Sequence, residues 1–152
     1  MESIFEQVDI NSLLPLVVAL VLGTVIGIER EVHKKPAGLR TNALICMGAA
    51  AFIVIAERIG LTPDAVSRMT AGIVTGVGFI GGGAVLRDRE NISGVTTAAT
   101  IWVVTSIGIA CGMKLYDIAV AVTIFSLLIL TILSPIDKKL RKTKGAAKHQ
   151  NQ

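Results

Sequence analysis

The side chains able to do chemistry in this chain gather in four short stretches. Glu29, Arg30 and Glu31 close the first apolar run, Arg40, Thr41 and Asn42 open the second, Arg87 and Asp88 follow the third, and Ser93, Thr96 and Thr97 open the fourth. Carboxylates attract cations, amides and hydroxyls supply neutral oxygens, and guanidinium groups pair with anions. Such a mixture can form a self-satisfied hydrogen-bond network or a ligand site. Interfacial anchoring of helix ends is the alternative, because ionisable groups at a membrane boundary cost less than at the bilayer centre.

Catalytic patterns are weaker. Gly76-x-Gly78-x-x-Gly81 formally matches the dinucleotide-binding fingerprint. The position about 20 residues beyond, where an acidic side chain would hold a ribose, falls instead near Ile101 and Trp102. His33 and His149 lie in basic, solvent-facing segments, and no Ser, His and acid grouping is evident. The sequence therefore predicts no enzyme and no cofactor. Cys46 and Cys111 both lie in apolar segments, one near the start of its run and the other near the end of a run in the same direction. That spacing puts them at different depths, beyond the reach of a disulfide, as inert buried thiols. Asn91-Ile92-Ser93 matches a glycosylation acceptor, but in a loop expected to be cytoplasmic it is a chance match.

The elements that must position these residues are membrane helices. Of the 152 residues, 52% are hydrophobic and 17% charged, and the mean hydropathy is +0.68, outside the range of soluble globular domains. Five charge-free intervals of 19, 16, 18, 23 and 19 residues follow one another. About 20 apolar residues cross a hydrocarbon core as a helix, so the sequence predicts an all-α membrane protein. Its compact bundle has about five transmembrane helices, near residues 10–28, 41–57, 69–86, 95–113 and 118–135. The second is the marginal one, since Ala43 to Ala56 covers only about 21 Å as a helix and is compatible with a re-entrant segment. Gly23 and Gly27, Gly72 and Gly76, Gly78 and Gly82, and Gly108 and Gly112 have the G-x-x-x-G spacing that lets membrane helices approach closely. On the fourth run Thr97, Thr100, Thr105, Gly108 and Gly112 share one helical face, a small polar stripe open to packing or to a permeation path.

The net charge of +4 does not make a nucleic-acid binder, because aromatics are only 4% and the cations cluster between apolar runs. Twelve of the fifteen Lys and Arg residues fall in the first loop, the third loop and the tail. The positive-inside rule then places the N-terminus outside and the C-terminus in the cytoplasm. Residues 137–152 read as a basic, disordered cytoplasmic tail near anionic headgroups. The acidic opening Met1 to Asn11 lacks the basic n-region of a cleaved signal peptide.

Four motifs stand in order: Gly-Ile-Glu-Arg-Glu at 27–31, Gly-Leu-Arg-Thr-Asn-Ala at 38–43, Gly-Val-Gly-Phe-Ile-Gly-Gly-Gly at 76–83, and Ser-Gly-Val-Thr-Thr-Ala-Ala-Thr-Ile-Trp at 93–102. From about Leu13 to Asp117 the chain resembles the MgtC/SapB family. The resemblance implies a bacterial inner-membrane protein associated with magnesium limitation, acid stress and, in some members, survival inside host cells. Its better-characterised members look like regulators of other membrane proteins, including the proton-translocating ATP synthase. It carries over Glu29, Arg30, Glu31, Arg40, Thr41, Gly76, Gly78, Gly81, Thr96, Thr97 and Trp102 as family positions. This sequence ends soon after the fifth run without the ACT-like domain of longer members, as expected of a short, membrane-domain-only branch.

Two functions follow as expectations. A non-enzymatic regulator would use its glycine faces on a partner helix or a second copy of itself, with the polar cluster responding to ions, protons or that partner. Direct cation transport would use Glu29, Glu31 and Asp88 to attract the ion and Asn42, Thr96 and Thr97 as neutral oxygens. Magnesium gives up water reluctantly, and no acidic residue falls at mid-membrane to replace it.

Overall fold

The computed structural model describes the backbone of residues 10–88 and 91–149 and the side chains of residues 10, 12–85 and 92–133. Five helices follow one another: α1 (Ile10–Val32), α2 (Leu39–Arg58), α3 (Pro63–Gly83), α4 (Val95–Gly112) and α5 (Tyr116–His149). Between α3 and α4 lies a small antiparallel hairpin, β1 (Leu86–Asp88) with β2 (Asn91–Ser93), in which Arg87 pairs with Ile92. The charge-free intervals do not reveal this hairpin, because three-residue strands have no apolar period to read.

Four helices among the described residues are long and apolar enough to cross a membrane: the Ser12–Val32 part of α1, α2, α4 and the Tyr116–Leu133 part of α5. The marginal element is therefore α3, not α2. α2 recovers a full 20 residues by including Leu39, Arg40 and Arg58 at its ends, where long basic side chains reach the interface. α3 has 21 residues, but six are glycine, and its first turns carry Asp64, Ser67 and Arg68. It starts well before Arg68 because Thr62 accepts a hydrogen bond from the Ala65 N–H at 3.3 Å, Pro63 opens the helix and Asp64 meets its positive end. α5 continues to His149, through a segment the sequence reads as disordered. The Lys, Arg and Ala residues there are good helix formers, which lets the backbone extend.

α1, α2 and α4 form the packed centre. Ala19, Ile26, Cys46, Ala50, Val104, Ile107 and Cys111 belong to one fully buried cluster. Outside it, Leu13, Val17 and Leu20 on α1 and Ile124, Phe125 and Leu128 on α5 stand exposed, the apolar girdle that a bilayer would cover.

Close backbone approach sets the helix pairs. A Cβ built on Gly23 would lie 2.6 Å from the Cys46 Cβ and 2.8 Å from the Asn42 carbonyl oxygen; on Gly27 it would lie 2.6 Å from the Leu39 Cα. Gly108 rests on the Cys46 carbonyl, and a Cβ on Gly112 would lie 2.6 Å from the Ile53 Cβ. α2 and α4 thus run side by side in the same direction, with Gly108 opposite Cys46. Cys111, three residues on, is within about one turn of the Cys46 depth. The depth mismatch expected from the sequence is absent, because the ends of a charge-free run do not set how far one helix slides along another. Both thiols are free and buried.

At the hairpin exit Gly94 adopts φ +85°, and a Cβ there would collide with the Ala84 carbonyl. Only glycine satisfies both conditions.

Candidate functional site

The link between α1 and α2 is built by its own polar side chains. α1 ends with the His33 N–H donating to the Glu29 carbonyl at 3.2 Å and the Lys35 N–H to the Arg30 carbonyl at 2.9 Å. The chain then turns through Lys34 and Ala37 at φ +51° and +55°, left-handed conformations that non-glycine residues seldom adopt. Asn42 holds that turn. Its Nδ2 donates back to the Gly38 carbonyl at 2.8 Å and to the Ala37 carbonyl. Glu31 holds it from the other side, one carboxylate oxygen accepting the Leu39 N–H at 3.2 Å at the open end of α2. A Cβ on Gly38 would occupy the space of that carboxylate. The first two motifs therefore interlock as one structural corner.

Asn42 has no exposed surface, so removing its amide strands the Ala37 carbonyl beside strained backbone, while the Gly38 carbonyl keeps the Asn42 backbone N–H at 3.2 Å. Asn42→Ala is expected to cost about 1–3 kcal/mol, read as a lowered melting temperature in detergent.

Beside this corner lies the buried ion pair. Glu29 is 8% exposed and Arg30 3%. Arg30 Nη1 stands 3.4 Å from one Glu29 carboxylate oxygen, and His33 Nδ1 stands 3.0 Å from the other. His33 is a partner that the sequence reading missed, although its i,i+4 spacing from Glu29 was the signal available. Arg30 Nε and Asn42 Oδ1 are buried without a hydrogen-bond partner among the described residues.

The structure divides the expected cluster. Glu29, Arg30, Asn42 and Thr97 are buried, whereas Glu31, Arg40, Thr41 and Thr96 are exposed. Arg87 and Asp88 have their backbone on β1, and their side chains lie outside the described residues. The Asn42 amide, bonded to the Gly38 carbonyl that faces Gly27, lies about one turn along α1 from Arg30. On α4 the Thr100 hydroxyl donates to the Thr96 carbonyl at 2.8 Å and the Thr105 hydroxyl to the Ile101 carbonyl at 2.9 Å. These hydroxyls are bonded to their own helix, while Gly108 and Gly112 carry the contact with α2. Trp102 lies off that face and is 53% exposed.

Gly76, Gly78 and Gly81 all lie inside α3, so the strand-turn-helix context required by a dinucleotide fingerprint is not present there. Among the described residues nothing lies within 4 Å of a Cβ built on Gly72, Gly76, Gly78, Gly82 or Gly83, and Gly81 makes only an ordinary 3.6 Å approach to Ala98. The glycines of α3 contrast with those of α1 and α4, which meet backbone.

Four apolar helices of membrane-spanning length among the described residues define a multi-pass membrane protein, with a buried ion pair at one end of the bundle. The chain belongs to the MgtC family, whose family model matches residues 16–139. It is 44% identical over 115 residues to Protein MgtC of Salmonella typhimurium strain LT2, covering 76% of this chain and 49% of that protein. It is 38% identical over 135 residues to the putative magnesium transporter YhiD of Escherichia coli K12, covering 82% of this chain and 61% of the relative. The chain thus spans about half the length of the MgtC relative. No solved structure matches it.

Proposed function

We propose that this chain is a non-enzymatic inner-membrane regulator, linked to magnesium limitation or acid stress, that acts by helix contact on other membrane proteins or on a second copy of itself. The supporting observation is the bare glycine face of α3. An exposed helical glycine costs about 1 kcal/mol relative to alanine, and against lipid it gains no packing in return. The exposed faces of α1 and α5 carry large aliphatic residues, whereas α3 sets Phe79 and Ile80 among its glycines. Glycines that meet nothing among the described residues are suited to a close-packed partner helix. With the N-terminus outside and the tail in the cytoplasm, as the distribution of Lys and Arg favours, the Glu29 corner faces the cytoplasm.

Gly76→Leu is the direct test. It is expected to leave the melting temperature near that of the parent, since its surroundings are open, while removing proteins that co-purify from native membranes or self-crosslinking through α3. An unchanged partner set would reject the reading.

Magnesium transport, suggested by the name of the YhiD relative, has one observation in its favour, the unpartnered oxygen of buried Asn42. Among the described residues no group of three or more His, Cys, Asp or Glu side chains could hold a metal. Ion flux into liposomes containing the pure protein would establish transport in place of regulation.

A further inference from the structure

The membrane-spanning part of α5 ends at Leu133, yet the helix runs on to His149. Residues 136–149 continue it for about 21 Å at the helical rise. Pro135 stands at the join. Having no N–H, it leaves the Thr131 carbonyl without its helical partner, and a helix bends most readily at such a point.

The residue pattern beyond Pro135 is that of a helix lying on a surface. At the helical period Ile136, Leu140, Thr143 and Ala147 fall within about 60° of arc. Lys139 and Lys144 border that stripe, and Lys138, Arg141, Lys142 and Lys148 occupy the rest of the circumference. Asp137 is the only acid against these six cations. A narrow apolar stripe bordered by long basic residues suits a helix at headgroup depth. Carried straight out into water, the same stripe would bury nothing.

Charge selects what this surface meets. The cations complement phosphate, and no aromatic residue follows Phe125 to stack on nucleic-acid bases. An acidic protein would have to arrive by diffusion. The bilayer that holds α5 is always within reach of Pro135, at the high effective concentration of a tether.

We propose that residues 136–149 form an in-plane helix on the anionic phospholipid surface of the leaflet that α5 leaves. Ile136, Leu140 and Ala147 sit at the top of the acyl chains, and the six cations lie among lipid phosphates. The stripe is too small to hold the helix by itself, so attachment requires anionic lipid and is lost on a neutral bilayer. The proposal is independent of the glycine face of α3, and it holds whichever side of the membrane the segment occupies.

The test places the full chain in nanodiscs of brominated phosphatidylcholine, alone or mixed with phosphatidylglycerol, where both bilayer faces are open. Leu140→Trp and Lys138→Trp put a fluorophore on the stripe and opposite it, and the emission of Trp102 in the parent is subtracted. Quenching of Leu140→Trp by the brominated chains is expected to be several-fold stronger in the phosphatidylglycerol discs, with no such gain for Lys138→Trp. Salt at about 1 M, where the Debye length is about 3 Å, should abolish the difference. Equal quenching of Leu140→Trp in the two kinds of disc, equal quenching at positions 138 and 140, or a difference that survives the salt would each overturn the proposal.

Discussion

Gly108→Val is expected to disrupt the bundle while Gly76→Val, with the same change of side chain, leaves it standing. A Cβ on Gly108 would press on the Cys46 carbonyl and lie 2.9 Å from the Ala49 Cβ. The obstacle is backbone in the middle of α2, which cannot swing aside as a side chain can. Overpacking of membrane or soluble cores commonly costs about 1–3 kcal/mol; here the expected loss is at or above the upper end of that range. Gly112→Val should be milder, because its nearest obstacles, the Ile53 Cβ at 2.6 Å and the Ala50 carbonyl oxygen at 2.9 Å, stand farther off than the Cys46 carbonyl does from Gly108. Melting temperature in detergent and protein level in the membrane read the effect. A Gly108→Val protein that melts with the parent would show that α2 and α4 are not in backbone contact.

Glu29→Leu is the second large effect. The carboxylate it removes is the partner of a guanidinium that is 3% exposed. Breaking a buried pair from one side leaves the other charge uncompensated, at a cost of about 3–5 kcal/mol. The double variant Glu29→Leu with Arg30→Met should recover much of that loss, since replacing both partners by apolar groups of similar size removes the stranded charge as well. His33→Gln should cost far less, because its ring is partly exposed and its contact with Glu29 is screened by water. If the single and double variants are equally destabilised, packing of the Glu29 stem, and not its charge, is what matters.

Residue order alone shows which polar side chains gather near the candidate corner. Glu29, Arg30, Asn42 and Thr97 all stand in the polar stretches that flank the apolar runs, and in the folded chain they are buried. Their division from Glu31, Arg40, Thr41 and Thr96 was not legible, because at the end of an apolar helix every side chain sits near charged neighbours in sequence and only the packing decides which of them turns inward. Glu31 shows the consequence. It reads as an ion-attracting carboxylate, and in the folded chain it is a cap on α2 that fills the space left by Gly38. The Glu57 to Lys114 contact joins residues 57 apart, with no periodicity to betray it.

The sequence by itself determined that this is a helical membrane protein and where most of its helices lie. The hydrophobic length needed to cross a bilayer and the punctuation by charged residues are local properties of the chain. Tertiary structure alone decided which glycines pack and how far α4 slides along α2. In a soluble protein the buried face of a helix is marked by its contrast with a polar face. In a bilayer the face toward lipid and the face toward other helices are both apolar, so the pattern of residues does not say which faces meet. Gly76 and Gly108 have the same spacing motif and opposite surroundings for that reason.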